Sequence, residues 1–184
     1  VDETYLGAAE EGLRGRKTEK KALVVIAAQE DGMGIGRIRM RRIQDASASS
    51  LEPFIEESIE PGSVVHTDGW DGYAGLKKKG YHHEITVLAH HDESALELLP
   101  RVHQVVGLLK SWLAGTLHGA VSHEHLDYYL DEYTFRFNRR TSISRGKLFY
   151  RLVQQAVQVD PVPYKEMVKH VREHRDGPPT YSGT

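Results

Sequence analysis

Apolar and polar positions change rhythm along this 184-residue chain. Three early segments have a strand-like pattern: residues 1–6, the apolar run 22–28 (ALVVIAA), and 37–43, where arginines alternate with apolar residues as one exposed face requires. Gly12 and Gly15 mark the first link, and Asp31-Gly32, Gly34 and Gly36 the second, so consecutive antiparallel pairing into a three-strand meander is the simplest arrangement. From Ser47 the period becomes helical. Ser49 or Ser50 is the expected cap, and Leu51, Phe54, Ile55 and Ile59 form one apolar face that runs up to Pro61-Gly62. Residues 63–67 (SVVHT) resume a strand, which puts Asp68 at its C-terminal end. Residues 72–79 predict a short helix closed by Gly80, and residues 81–88 a fifth strand.

The second half is helical throughout. Residues 95–113 carry Leu98, Leu99, Val102, Val105, Val106, Leu109 and Leu113 on one side, with Pro100 beginning or kinking the helix. A helix over about 122–139 buries Leu126, Tyr129, Leu130, Tyr133 and Phe137, and another spans about 147–157. Beyond Pro161 and Pro163 the pattern weakens, so the expected organisation is one domain over 1–158 and a poorly ordered tail over 159–184. The order of elements is that of a ribonuclease-H-like α/β fold: a mixed five-stranded sheet flanked by helices, with extra C-terminal helices.

Composition narrows the chemistry. Without cysteine there is no disulfide scaffold, zinc ribbon or thiol nucleophile, and any metal must be held by Asp, Glu or His. No apolar run approaches the ~20 residues of a membrane span, so no membrane partner is expected. The opening Val1-Asp2-Glu3, without an initiator Met or signal-like stretch, reads as part of something longer, with upstream modules expected outside it. A net charge of −2 decides nothing about nucleic acid, but its distribution is uneven. Arg136, Arg139, Arg140, Arg145, Lys147 and Arg151 follow one another with no acidic residue between them, whereas Glu52, Glu56, Glu57 and Glu60 crowd the first helix.

Asp2 in the first strand and Asp68 at the end of the fourth become neighbours only if those strands lie side by side. Two carboxylates at one sheet end would bind hard divalent cations. Taken singly, an Asp before Gly is more often a turn residue and an Asp early in a strand an exposed polar position. The eleven histidines read by default as surface residues: the pairs His82-His83 and His90-His91 point to opposite faces of a strand, and His118, His123 and His125 lack the spacing of a zinc hydrolase.

The stretches VDETY, DASASSLEPFIEESIEPGSVVHTDGWDGYAGLKKKGYHHE and VHQVVGLLKSWLAGTLHGAVSHEHLDYYLDEYTFRFNRR closely resemble, in order, the ISXO-like transposases, the insertion-sequence family fifteen-ninety-five. The resemblance runs from Val1 to about Val157. It implies a bacterial, cytoplasmic, nucleoid-associated enzyme of the DDE type, in which two Asp and a third residue on a helix hold two Mg²⁺ ions. Asp2 and Asp68 match the first two positions. The third lies seven residues before the basic residue of a Leu-Leu-Lys segment; Leu108-Leu109-Lys110 anchors that count, which reaches His103 where the family carries Glu or Asn. Seven residues are about two helical turns, so His103 and Lys110 share a face.

An imidazole offers nitrogen rather than carboxylate oxygen, which lowers the preference for Mg²⁺ and favours tolerance of Mn²⁺. The expected set is therefore Asp-Asp-His, used by a subgroup, with Glu93 and Glu97 as fallback third carboxylates in place of His103; the alternative is a degenerate copy retained for DNA binding or assembly. By the same resemblance Lys110 contacts DNA phosphate near the cleavage point, and active complexes are homo-oligomers on transposon ends and target DNA. Asn138, Arg139, Arg140, Arg145 and Lys147 are the expected clamp on terminal DNA. Trp70 and Tyr73 are candidates for stacking on a base, with packing expected for at least one.

Overall fold

A computed structural model of the chain describes residues 1–7, 21–86, 99–117, 125–161 and 163–165. Strands β1 (Asp2–Gly7), β2 (Lys21–Asp31) and β3 (Gly34–Ile43) form an antiparallel sheet in the order β1-β2-β3. The meander follows from the turn chemistry: Gly32 at φ +53 and Met33 make a two-residue turn that pairs Asp31 with Gly34. Helix α1 (Ala48–Ser58) leads to β4 (Val64–Thr67), two short 3₁₀ turns (Asp71–Tyr73 and Leu76–Lys79), and β5 (His82–Ile85), which pairs parallel to β4. Helices α2 (Pro100–Leu117), α3 (Leu126–Asn138) and α4 (Arg145–Ala156) follow.

The apolar run of β2 is buried on both faces, and its alternation sorts it between two cores. Val24 and Ile26 pack with Val102, Val105, Leu109 and Leu113 of α2 and Leu126, Leu130, Tyr133 and Phe137 of α3. Leu23, Val25 and Ala27 pack on the opposite face with Leu51, Phe54 and Ile55 of α1 and with Val65, Tyr73, Leu76 and Tyr81. Each fully buried Val or Ile contributes about 1.5–3 kcal/mol by leaving water, and Val24, Val25 and Ile26 are 0% exposed. The helical spacings of three and four read from the sequence are the ones that put these residues on one stripe.

The strands form two ladders, of three and two, rather than the expected single sheet of five. The two meet where the Val1 nitrogen donates to the His66 carbonyl at 2.6 Å. β4 ends one residue beyond that bond, at Thr67, which leaves no length for a ladder with β1. A second departure concerns α1. Its N-cap is Ser47, not Ser49 or Ser50, and the serine hydroxyls turn to Asp45, whose Oδ1 accepts from the Ser47 amide (3.0 Å), the Ser47 hydroxyl and the Ser50 hydroxyl (2.9 Å). Pro100 begins α2 rather than kinking it, and residues 72–79 form two 3₁₀ turns closed by Gly80 at φ +86.

The outer edge of β3 is closed by the end of α3. Asn138 accepts from the Ile38 amide at 2.7 Å and donates to the Ile38 carbonyl at 3.0 Å, so its side-chain amide replaces one residue of a neighbouring strand. Arg140 donates to the carbonyls of Ile35, Gly36 (3.3 Å) and Phe137 (2.8 Å), with its guanidinium 3.9 Å above the Phe137 ring. Arg42 pairs with Asp127 at 3.0 Å and ties the same strand to the start of α3. These contacts satisfy backbone groups that an open edge would offer to another chain.

Asn138→Ala deprives the Ile38 amide of its acceptor while Arg39 still reaches the Ile38 carbonyl. The expected loss is about 1–3 kcal/mol of unfolding free energy, read from the urea midpoint at unchanged slope.

Candidate active site

Asp2 stands opposite Ile26 of β2, and α2 packs over the same end of the sheet. This brings His103 to Asp2: the imidazole Nε2 lies 3.8 Å from Asp2 Oδ2, with the two side chains 23% and 16% exposed. That separation is beyond a hydrogen bond, while the other carboxylate oxygen accepts from the Glu3 amide at 2.8 Å. Burial pushes the Asp2 carboxyl above its ordinary range; the Glu3 amide and His103 oppose the shift, and the nearby charge of Asp68 adds to it.

Asp68 is placed by the turn that follows β4. Its Oδ1 accepts from the Trp70 amide at 3.0 Å, and Gly69 sits at φ +82, a conformation glycine adopts without strain. Trp70 donates its indole N–H to the Ala46 carbonyl at 2.7 Å, which anchors the turn to the segment before α1. Gly72 allows the close approach: a Cβ there would stand 2.5 Å from the Ala46 carbonyl oxygen and 2.7 Å from Leu51. Tyr73 is 0% exposed and so is a packing residue, whereas Trp70 remains 38% exposed. Burial, and after it the charges of Glu3, Asp2 and Asp68, raise the Tyr73 phenol far above its usual value.

The structure thus brings Asp2 and His103 together and sets Asp68 within electrostatic reach. Among the described residues no three of His, Asp and Glu are gathered into a group ready to hold a metal ion. Lys110 is exposed on α2, two turns beyond His103. Of the basic clamp, Asn138 and Arg140 are engaged with β3 as described, Arg139 lies 3.9 Å over the Phe135 ring, and Lys147 is exposed on α4. The Arg145 side chain, Glu93, Glu97, His90, His91, His118 and His123 lie outside the described residues. A recess of about 600 Å³ opens nearby, lined in part by Glu30, Arg37, Arg39, His66 and Arg101, but neither carboxylate nor His103 borders it.

Sequence reasoning missed two residues. His83, expected at the surface, is only 9% exposed, and its Nε2 lies 2.8 Å from the hydroxyl of the wholly buried Thr67. The alternation in β5 carries the signal: Tyr81 and His83 are buried while His82 and Glu84 are exposed.

A carboxyl with a raised folded pKa binds its proton more tightly in the folded than in the unfolded state. Its contribution favours the fold at acid pH and is lost as pH rises through the folded pKa. Asp2→Asn is therefore expected to raise the melting temperature at neutral pH by about 2–4 °C, corresponding to ~1 kcal/mol. The difference from the parent should shrink as the pH is lowered below the carboxylate range; an equal difference at all pH values would show that packing, not charge, is responsible.

No curated protein and no solved structure matches the chain. No helix among the described residues is long and apolar enough to cross a membrane. The ISXO2-like transposase domain matches residues 1–138, a span that takes in β1 with Asp2, the Asp68 turn and α2 with His103 and Lys110. The chain belongs to the ISXO2-like transposase domain family.

Proposed function

We propose that this domain cleaves DNA strands at the ends of an insertion sequence and joins the freed 3′ ends to target DNA. The observation that carries this reading is the approach of His103 Nε2 to within 3.8 Å of Asp2 Oδ2, beside a carboxyl that burial and Asp68 hold above its ordinary pKa. A divalent cation would relieve that electrostatic cost, so the donor chemistry fits the ions implied by the family. Asp2 and Asp68 would hold two Mg²⁺ ions, with His103 as the third protein ligand and Mn²⁺ as an accepted substitute. When bound, such ions supply charge neutralisation at the phosphate and acidify the attacking water.

The remaining work falls to the chain itself. Asp2 sits on β1, whose ladder with β2 fixes its place opposite Ile26. Lys110 meets a strand phosphate from the same face of α2 as His103. Lys147 and Arg139 extend this contact, whereas Asn138 and Arg140 serve it indirectly by holding α3 to β3. The ribonuclease-H-like arrangement, with β1 beside β4, is supported by the bond from Val1 to His66, which joins the two ladders at the end where Asp2 and Asp68 lie. DNA of the element's ends and target would be the partners, in a homo-oligomeric complex.

A second reading has its own observation: the close His103–Asp2 pair would also serve as a structural ion pair in a domain that binds or assembles on DNA without cutting it. A pre-cleaved transposon end incubated with a target plasmid and Mn²⁺ separates the readings. Joined products are expected from the parent, none from Asp2→Ala, Asp68→Ala or His103→Ala, and retained or metal-shifted activity from His103→Glu. Cleavage without joining would identify a nuclease of the same fold, and activity that survives Asp68→Ala would sink the assignment.

Lys110→Ala should lower DNA affinity about equally for all sequences and reduce the slope of log K against log salt by about 1. Fluorescence anisotropy at several salt concentrations measures both effects.

A further inference from the structure

We infer that Thr67 and His83 form a buried hydrogen-bond relay that fixes the Asp68 carboxylate, making both of them positioning residues for the site. β4 and β5 pair with Val65 opposite His83, so Thr67, two residues on, lies diagonally beside His83. Thr67 Oγ1 is 2.8 Å from His83 Nε2 and accepts from the Gly69 amide at 3.1 Å. These bonds clamp the backbone on both sides of Asp68: Thr67 reaches forward to Gly69, and Asp68 Oδ1 accepts from Trp70 at 3.0 Å.

The direction of the relay follows from counting hydrogens. Thr67 is 0% exposed, so its hydroxyl hydrogen needs an acceptor within the protein. Among the described residues the hydroxyl's hydrogen-bond neighbours are the Gly69 amide, which is a donor, and His83 Nε2. The Thr67 hydroxyl therefore donates to Nε2, which must carry no proton, and His83 is neutral with its hydrogen on Nδ1. Its surroundings agree: burial first, then the charges of Lys77 and His66, push the imidazole below its usual pKa, and the Tyr73 ring packs at 6.5 Å. The hold on Asp68 is independent of what that carboxylate binds, while its value to catalysis rests on the strand-transfer reading.

A crossed pair of variants tests the relay. Thr67→Val keeps the shape of the side chain and removes the hydroxyl; Thr67→Ser keeps the hydroxyl and removes a methyl. Amide hydrogen exchange of Gly69 and Trp70, followed by NMR, should be about tenfold faster in the valine variant and within about threefold of the parent in the serine variant. In an active parent, Thr67→Val should slow strand transfer about 10–100-fold at unchanged DNA affinity, with Thr67→Ser restoring it.

Unchanged protection of Trp70 in the valine variant, equal loss of protection in both variants, or full activity of the valine variant overturns the proposal. Should the valine variant not fold, the ¹⁵N spectrum of the parent decides, because a proton on His83 Nε2 at pH 7 is incompatible with the relay. A parent that joins no DNA defeats the functional reading but leaves the exchange result standing.

Discussion

The double-sided burial of β2 is the constraint on which the rest of the structure depends. A strand with Val24 and Ile26 on one face and Leu23, Val25 and Ala27 on the other cannot lie at a surface, so helices must cover it from both sides. Its hydrogen-bonding edges are then taken by β1 and β3. Asp2 inherits its position from this arrangement, because the register that places Leu6 in one core and Tyr5 against the other also sets Asp2 opposite Ile26. His103 inherits its own from α2, whose buried stripe, Val102, Val105 and Leu109, turns the neighbouring position toward the strand end. The meeting of carboxylate and imidazole is thus a by-product of core packing.

The same economy operates at the far edge of the sheet. β3 is an outer strand, and unpaired backbone groups along it would invite pairing with other chains. Asn138 and Arg140 answer that need by bonding to the backbone of Ile35, Gly36 and Ile38. A run of basic and amide residues at a helix end reads as a nucleic-acid clamp when only charge is considered. Geometry divides the run into residues that build the domain and residues, Lys147 among them, that stay exposed.

At the site itself, solvation and charge pull against each other. Asp2 is partly withdrawn from water and feels Asp68, so its ionised form is costly, while His103 and the Glu3 amide offset part of the cost. Carboxyls under such tension cluster at functional sites, although structural networks produce them too. Behind Asp68 the opposite rule holds: Thr67 and His83 are polar, buried and mutually satisfied, which gives rigidity rather than reactivity.

Local order was legible from the sequence because it is written in nearest-neighbour chemistry. The period-two and period-3.6 patterns, the Asp31-Gly32 turn, Gly80 as a left-handed stop and the place of Asp68 after a short strand all depend on residues within a few positions of one another. What depends on groups far apart in the chain was decided only in three dimensions. The resemblance grouped His103 with Asp2, but their 3.8 Å separation, the use of Asn138 as a strand mimic one hundred residues from Ile38, and the burial of His83 against Thr67 arise from packing, which nearest-neighbour chemistry does not encode. Five strands were readable one by one; their division into two ladders was not, because pairing is set by where each strand ends relative to its neighbour in space.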